Sequence, residues 1–475
     1  MSKTADQDRN SLTSEDDISL HELQPRPGRP SADSLHSSDF GHLLSDDGSS
    51  ASSTDLPPID SGLGAWTFLF GTWLLEATVW AFALSFGVFQ DYYSKHELFR
   101  ESDLIPTIGA VATGVTYLGM PVTNPIAMRW PQHRRKMIVV GYVMCLVGLV
   151  AASFARQAWQ LLLFQGFVFA FGWVVCYTPF LFMLNEWFVE KRGLAYGILF
   201  CASGLSGLFI PLGVGASLER FGFRYTLRGY TVLTIVLSGP ALFLMRPRIS
   251  HSNRGDSLTQ TKGLGIGSLW EYCKTIHLPL FATAVFLQGL AFFLPNIFIT
   301  SYAKDLGLSS TESSGLLALI SFAQVLGQLW QGWISDRVNV YIPASISTII
   351  PGLAAALLWG PARGMAYLAP FALIWGFFSA SYSVLYTRMC TFVIDSAKDK
   401  DTGEGLFMML YSVLSFLRGV SNILEGPLSS WLFGDELDVE RFGLARYAEI
   451  VWFTAIGMLA SSLAGLGMLW RRRSM

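Results

Sequence analysis

The sequence predicts an all-α membrane protein with twelve transmembrane helices in two six-helix halves. Of its 475 residues, 51% are hydrophobic and 14% charged, and the mean hydropathy is +0.41. Soluble domains carry about 25% charged residues, so this chain lacks the polar surface of a soluble protein. Apolar runs of about 20 residues, the length that crosses a bilayer core, recur from Ala65 onward. Basic residues collect in alternate loops between these runs.

The apolar runs must form helices, because backbone polar groups cannot stay unpaired in lipid. Prolines inside several runs are compatible with this prediction, since a packed membrane bundle tolerates kinked helices. The predicted spans are approximately 66–89, 104–127, 137–155, 158–184, 194–216, 227–245, 278–300, 313–334, 341–360, 365–387, 405–432 and 449–470.

The sequence outside the spans divides the chain into four segments. Residues 1–58 are rich in Ser, Asp and Pro, and this composition predicts a disordered cytoplasmic tail, either phosphorylated or without a role. Residues 59–245 form the predicted N-terminal half and 278–475 the C-terminal half, joined by a cytoplasmic loop at 246–277.

Loop charges predict the orientation of the chain in the membrane. Short cytoplasmic loops carry an excess of Lys and Arg. Alternate loops are poorer in basic residues: Arg156, Lys304 and Arg363 each stand alone in one of them, and the loop at 433–448 is acidic on balance. Both termini are therefore predicted to be cytoplasmic, in agreement with an even number of spans. The basic residues of the rich loops and the C-terminus are Arg129, Arg134, Arg135, Lys136, Lys191, Arg192, five between 246 and 277, and Arg471 to Arg473.

Several kinds of chemistry are not indicated. The net charge of −2 argues against a nucleic-acid partner. The five cysteines form no CxxC pair, and no GxxxxGKS/T phosphate-binding loop or metal-ligand spacing occurs. We therefore expect no enzyme activity, no cofactor and no metal. The expected partners are the lipid bilayer and a small-molecule solute, with a proton as the candidate coupling ion, and a monomer is expected to suffice.

A weak internal repeat relates the two halves. The second span ends with NPIAMR and the eighth with GWISDR, so Arg129 and Arg337 lie 208 residues apart. Two related six-helix halves are typical of major facilitator transporters. The GxxxDR pattern at Gly332–Arg337 resembles the short loop motif of that superfamily.

A second stretch resembles the monocarboxylate transporter family within that superfamily. Residues 187–207, WFVEKRGLAYGILFCASGLSG, are similar to its fifth-helix signature. DSGLGAW at 60–66 resembles part of the first-helix signature, and SFGVFQDYY at 85–93 looks like the fungal branch. The resemblance covers about residues 60–470. The glycines at 193, 197, 204 and 207 share a helix stripe, which favours close helix packing over ligand contact.

The resemblance implies a secondary active transporter of a small organic solute that works by alternating access. It implies the plasma membrane, with vacuolar or other endomembranes as alternatives. Three charged positions of proton-coupled lactate carriers are replaced by Leu84, Gln324 and Gln328, which argues against simple proton–lactate symport. Gln324 and Gln328 share one helix face and bind either a polar solute or neighbouring helices.

Charged residues inside spans are expensive, so they are candidate functional residues. Arg418 is expected to pair with an anionic solute. The other candidate substrate-binding residues are Asn422, Gln324, Gln328 and Trp330, and the Trp330 ring is placed to stack on a ring of the solute. Glu76 and Glu425 are expected to couple protons. The alternative is a fixed ion pair between Arg418 and either glutamate. Arg388 and Glu186, near span ends, are expected to reach the membrane interface. The candidate gating and loop residues are Asp336, Arg337, Arg129, Lys191 and Arg192.

Three functions remain open from the sequence. The first is a carrier of an organic acid or related metabolite. The second is an exporter of a fungal secondary metabolite, whose larger and less charged product suits the glutamine pair. The third is a nutrient sensor that binds a solute without carrying it, although such proteins usually bear long soluble extensions.

Overall fold

The computed structural model describes residues 57–100, 102, 104–249, 272–396, 404–433, 439–440 and 443–462. Most of the predicted tail, most of the loop predicted at 246–277 and the three arginines at 471–473 lie outside the described residues.

The first half of the described chain is helical throughout its predicted spans. Its first four helices are α1 (Gly62–Lys95), α2 (Ile105–Arg129), α3 (Pro131–Ala152) and α4 (Ala158–Trp187). A helical stretch then runs over Arg192–Leu244 and is interrupted at Gly222, where φ is +75° and ψ is 170°. Since L side chains rarely adopt this φ, glycine permits the reversal there. The two arms are α5 (192–221) and α6 (223–244).

The second half repeats this arrangement. It consists of α7 (His277–Asp305), α8 (Ser310–Ser335), α9 (Tyr341–Trp359), α10 (Met365–Ser396), α11 (Glu404–Leu432) and α12 (Ala448–Ser461). A two-residue hairpin, β1 (Val439–Glu440) with β2 (Gly443–Leu444), lies between α11 and α12 and was not predicted.

Ten of the described helical stretches are long and apolar enough to cross a membrane. This count treats Arg192–Leu244 as one stretch and leaves out α12, whose described part has 14 residues. Each predicted span overlaps one helix, so the all-α membrane fold is confirmed, while the count of twelve spans stays a prediction.

Glycines bring the two halves into close contact along α5 and α8. A Cβ atom at Gly197 would lie 2.5 Å from the Gln328 carbonyl oxygen, and one at Gly204 would lie 2.9 Å from a methyl group of Val325. These positions therefore accommodate no larger side chain without movement of a helix. The predicted glycine stripe thus serves helix packing here.

Candidate functional site

The helices alternate in direction, so the bundle has two ends. We call the end that carries residues 129–134, 187–192 and 335–341 the basic end, and the end that carries 95–104, 153–157 and 305–309 the opposite end. Contacts between the halves differ at these two ends.

At the basic end, Asp336 joins the two halves. Its carboxylate follows the last turn of α8 and accepts the backbone N–H groups of Gly193 and Leu194, each at 2.9 Å. These donors form the first turn of α5, where the helix dipole favours a negative charge. Burial raises the pKa of Asp336 above its ordinary value, and the two N–H bonds oppose that shift. The predicted gating residue Asp336 thus holds α5 against α8.

A second carboxylate binds the same turn from within the first half. Asp60, with φ at +56°, accepts N–H groups from Val189, Glu190 and Lys191 at 2.9 to 3.0 Å. The sequence offered Asp60 only as part of the DSGLGAW resemblance, and this role was not predicted. The sequence did contain one indication of this role. Asp60 lies just before the first span, where a carboxylate needs hydrogen-bond donors to offset the cost of its burial.

The predicted loop residues Lys191 and Arg192 lie on this turn. Lys191 Nζ donates to the carbonyl oxygen of Asp60 at 3.4 Å. Arg192 donates to the carbonyl oxygen of Phe188 at 3.3 Å and lies 4.5 Å from the ring centroid of Phe407 in α11. Arg192 therefore also contacts the second half.

The other two predicted gating residues stay on their own helices in the contacts described. Arg337 lies 4.1 Å from the ring centroid of Trp333 and donates to its carbonyl oxygen at 3.1 Å. Arg129 is exposed at the end of α2. The structure thus brings Asp336, Lys191 and Arg192 together, but it does not place Arg337 and Arg129 in the same contact.

Two amides extend the closure of the basic end to α11. Asn124 of α2 donates its side-chain N–H to the carbonyl oxygen of Met408 at 2.8 Å. Asn185 of α4 donates to the sulfur of Met408 at 3.4 Å. Both bonds link the first half to the second, so the closed basic end involves the helix pairs α2–α11 and α4–α11 in addition to α5–α8.

At Glu186 the structure differs from the expectation that this side chain reaches the membrane interface. It forms a buried ion pair with Arg134, with 2.8 Å between Nη1 and Oε1, and does not reach the membrane interface. Arg388 is half-buried, and its Nε donates to the carbonyl oxygen of Ser335 at 3.0 Å. Both side chains tie the ends of neighbouring helices together, and the expectation that Arg388 reaches the membrane interface stays a prediction.

Arg418 is buried near the middle of α11, with 6% of its surface exposed. It donates a hydrogen bond to the Gln288 side chain and lies 4.4 Å from the ring centroid of Phe292. Gln288 in turn donates to the carbonyl oxygen of Ser379 at 3.2 Å. Among the described residues, no acidic side chain lies within ion-pair distance of Arg418. The alternative of a fixed pair with Glu76 or Glu425 is therefore not observed.

Gln288 was missed in the sequence, although it is an amide inside an apolar run at 278–300 and could have been singled out on that ground. Its role became visible only through α7 packing on α11, where Gly289 lets Ser421 approach the backbone of α7.

Asn422 and Glu425 line a cavity of about 200 Å³ that lies toward the opposite end, between α2 of the first half and α7 and α11 of the second. Glu425 is 2% exposed, and its Oε1 has no hydrogen-bond partner. Both polar side-chain atoms of Asn422 are also buried without a partner. The remaining lining residues are Gly109, Ala110, Thr113, Phe293, Ile297, Ile423 and Gly426.

Glu76 lies inside the first half. It is 1% exposed, and its Oε2 has no hydrogen-bond partner. Tyr117 of α2 lies within electrostatic reach of both Glu76 and Arg418. The two charged residues that the sequence singled out thus lie in different halves and do not form an ion pair.

Gln324, Gln328 and Trp330 lie away from that cavity. Gln324 donates to the hydroxyl of Ser203 in α5 at 3.3 Å, and Gln328 is buried with its side-chain oxygen unpartnered. The Trp330 ring packs on Phe377 of α10, with 5.4 Å between the centroids. These three side chains belong to helix interfaces in this arrangement, with Gln324 bridging the halves.

Comparison with known proteins places this arrangement in a family. A family model described as Major Facilitator Superfamily matches residues 61–419. The chain belongs to the major facilitator superfamily. Two crystal structures of the E. coli fucose:proton symporter FucP share the fold of this major facilitator protein, with TM-scores of 0.59 and 0.61 at 13% identity. They cover 84% of this chain and 98% or 99% of their own, and the second is described as outward.

The relatives of this major facilitator protein are mainly fungal transporters. MFS transporter asaE of Aspergillus flavus is 27% identical over 76% of this chain and 79% of its own. The Fujikurins efflux protein of Gibberella fujikuroi is 26% identical over 70% of each chain. Monocarboxylate transporter 13 of Rattus norvegicus is 24% identical over 79% of this chain and 83% of its own. The predicted superfamily and its transport function are confirmed.

Proposed function

We propose that this transporter carries an organic acid or a related metabolite by alternating access. One observation carries the proposal: the halves are bonded to each other at the basic end, while a cavity lies between them toward the opposite end. Such an arrangement corresponds to one of the two states of a carrier that rocks its halves around a central site.

Arg418 is the proposed site for an anionic group of the solute. A buried guanidinium without an acidic partner is costly, and a carboxylate on the solute would offset that cost. Gln288 holds the guanidinium in place, which supports a binding role for Arg418 over a purely structural one.

Glu76 is the proposed proton-coupling group. Its buried carboxylate has an unpartnered oxygen and lies on the first half, while Arg418 lies on the second. A carboxylate in such a place is stabilised by taking up a proton. The related FucP is described as a proton symporter, which supports proton coupling here as well.

Flux into vesicles tests the role of Arg418. In proteoliposomes that contain the full chain, we expect Arg418→Ala to reduce uptake of labelled monocarboxylates at least tenfold, with a proton gradient imposed. Arg228→Ala is the control, because Arg228 of α6 lies against Phe154 and Ser153 at the opposite end. Unchanged transport by Arg418→Ala would reject a binding role for this arginine.

Export of a fungal secondary metabolite is a second candidate function. One relative is described as an efflux protein, and uncharged Leu84, Gln324 and Gln328 stand where lactate carriers hold charges. If export is the function, deletion of the gene raises the product inside the cell, and inverted vesicles accumulate it. A deletion strain that instead fails to take up an external acid favours import.

The remaining proposals concern topology and location. We propose that both termini face the cytoplasm and that the protein resides in the plasma membrane as a monomer. The basic loops near 129–136 and 191–192 support this orientation. Protease treatment of intact cells that carry tags on both termini tests this orientation. Cleavage of the tags from outside would show that the termini face away from the cytoplasm.

A further inference from the structure

The cavity near the opposite end collects three buried polar atoms that have no partner. They are Oε1 of Glu425 and both side-chain polar atoms of Asn422. The two residues are three positions apart on α11, so they lie on the same face of the helix. Nearly all buried polar groups in proteins are hydrogen-bonded, and an unpartnered one is destabilising. Such a cluster on a cavity wall is therefore explained by a group that binds there.

The other walls are small or apolar. Gly109 and Ala110 line the cavity from α2 without large side chains, and Phe293 and Ile297 of α7 supply apolar surface. A water molecule takes up about 30 Å³ in the liquid, so about 200 Å³ accommodates a group of several non-hydrogen atoms. The cavity thus fits one end of an organic molecule, with a polar tip and an apolar body.

The unpartnered atoms of Asn422 and Glu425 indicate which polar group of a solute binds in the cavity. Arg418 does not line this cavity, because it is held beside Gln288 and the Phe292 ring. The unpartnered atoms of the cavity are therefore those of a carboxyl group and an amide. Two of them, Oε1 of Glu425 and Oδ1 of Asn422, are oxygens that accept hydrogen bonds, whereas only Nδ2 of Asn422 is a nitrogen that donates. This set favours a solute group that donates a hydrogen bond.

We propose that Glu425 and Asn422 bind a hydrogen-bond-donating group of the solute, a hydroxyl or a protonated amine, while Phe293 and Ile297 contact its apolar body. The proposal rests on the transport function and names the class of solute. It also assigns Glu425 a direct contact with the solute in place of the expected proton-coupling role. A hydroxylated organic acid satisfies both sites, since Arg418 lies two helical turns from Glu425 on α11.

Binding of two matched probes to the purified full-length protein tests this assignment. The probes are 4-hydroxybenzyl alcohol, which donates hydrogen bonds, and 4-methoxybenzyl methyl ether, which does not. We expect the alcohol to bind at least tenfold more tightly than the ether in calorimetric titration, because its hydroxyl groups satisfy buried oxygens that otherwise have no hydrogen-bond partner.

Variants localise the binding. Glu425→Met and Asn422→Leu keep the side-chain volume and are expected to lower the affinity for the alcohol about tenfold, to that of the ether. Ser412→Ala is the control on the same helix, since its hydroxyl bonds to the carbonyl oxygen of Met409 and does not line the cavity. Ile297→Trp fills the cavity and is expected to abolish binding, and its half-exposed position (50%) tolerates the larger ring.

Three results would overturn the assignment: equal affinities for the two probes, no binding of the alcohol, or an unchanged affinity in Glu425→Met. Failure of the proposed transport function is detected by a different measurement, the flux into vesicles. Vesicles that move no monocarboxylate and no polyketide contradict the carrier proposal, whereas probe binding in detergent still reports on the cavity. If the vesicles do move a solute but the probes give one of the three overturning results, the transport function stands and only the proposed binding by Glu425 and Asn422 is rejected.

Discussion

At the scale of the residue, two kinds of buried charge are found in this protein. Arg134 and Glu186 satisfy each other within the first half, at the basic end. Arg418 has only neutral partners among the described residues, and Glu425 and Glu76 each have an unpartnered oxygen. A paired charge contributes to helix packing, whereas an unpaired one is destabilising unless something else binds it. Of the second kind, Glu425 lines the cavity between the halves, whereas Arg418 and Glu76 contact helices of their own halves.

The ion pair between Arg134 and Glu186 allows a prediction about the stability of the protein. Arg134→Met leaves Glu186 buried without its counter-charge and is expected to lower the free energy of unfolding by about 3–5 kcal/mol. Adding Glu186→Met should recover most of that loss, because the second charge then no longer needs a partner. Unfolding of the purified protein in SDS titrations measures both variants. If the double variant is no more stable than the single one, the pair is not the source of the loss.

At the scale of the element, α5 is the helix on which closure depends. Its first turn is bound by Asp336, and its glycines allow α8 to approach. The same helix ends at Gly222, whose backbone turns the chain into α6. A single helix thus connects the loop contacts of the basic end with the contact surface between the halves. Its small residues are required by this packing and not by ligand contact.

Enlarging one of these glycines should therefore separate the helices. A side chain at Gly197 meets the Gln328 carbonyl oxygen, so Gly197→Val is expected to cost about 1–3 kcal/mol in the closed arrangement and to lower transport about tenfold or more. Gly213→Val is the control on α5, because no atom lies within 4 Å of a Cβ placed there. Vesicle flux compares the two variants. Equal loss in both would point to helix propensity and not to the contact with α8.

At the scale of the whole molecule, the two ends are bonded differently. Asp60 binds the 189–191 turn from within its own half, so its bonds persist when the halves move as rigid bodies. Asp336 and Asn124 bond across the halves, so their bonds must break when the basic end opens. The cavity that holds Asn422 and Glu425 lies toward the opposite end.

Removing the bond across the halves should shift the molecule toward an open basic end. Asp336→Ala removes two hydrogen bonds from backbone groups to a carboxylate, a change of about 3 kcal/mol or more, which corresponds to a factor above 100 between the two states. Spin labels at the exposed positions Val189 and Ile342 report the distance between the halves at this end, which should lengthen.

Asp91→Ala is the matched control, since Asp91 pairs with Lys95 at the opposite end. It should leave the label distance unchanged. If Asp336→Ala also leaves the distance unchanged, then Asn124 and the glycine contacts keep the basic end closed without this carboxylate.

The sequence by itself determined the membrane fold, the approximate helix positions and the family. Run length decides whether a helix crosses a bilayer, and motifs such as residues 187–207 are local in the chain, so neither requires tertiary contacts. The sequence also singled out Arg418, Asn422 and Glu425, because charged and amide residues inside apolar runs are conspicuous.

The tertiary structure decided which of these residues meet. Gln288 binds Arg418 across 130 residues of chain, and Asp60 binds a turn some 130 residues away, distances over which sequence spacing carries no information. Glu186 lies near the end of a span in the sequence, yet it is buried, because α3 brings Arg134 beside it. The sequence left open whether Gln324 binds a solute or a neighbouring helix, and the structure shows its bond from α8 to Ser203 of α5. The partners of a buried polar group depend on which helices pack together, and that packing is fixed only when both halves are assembled.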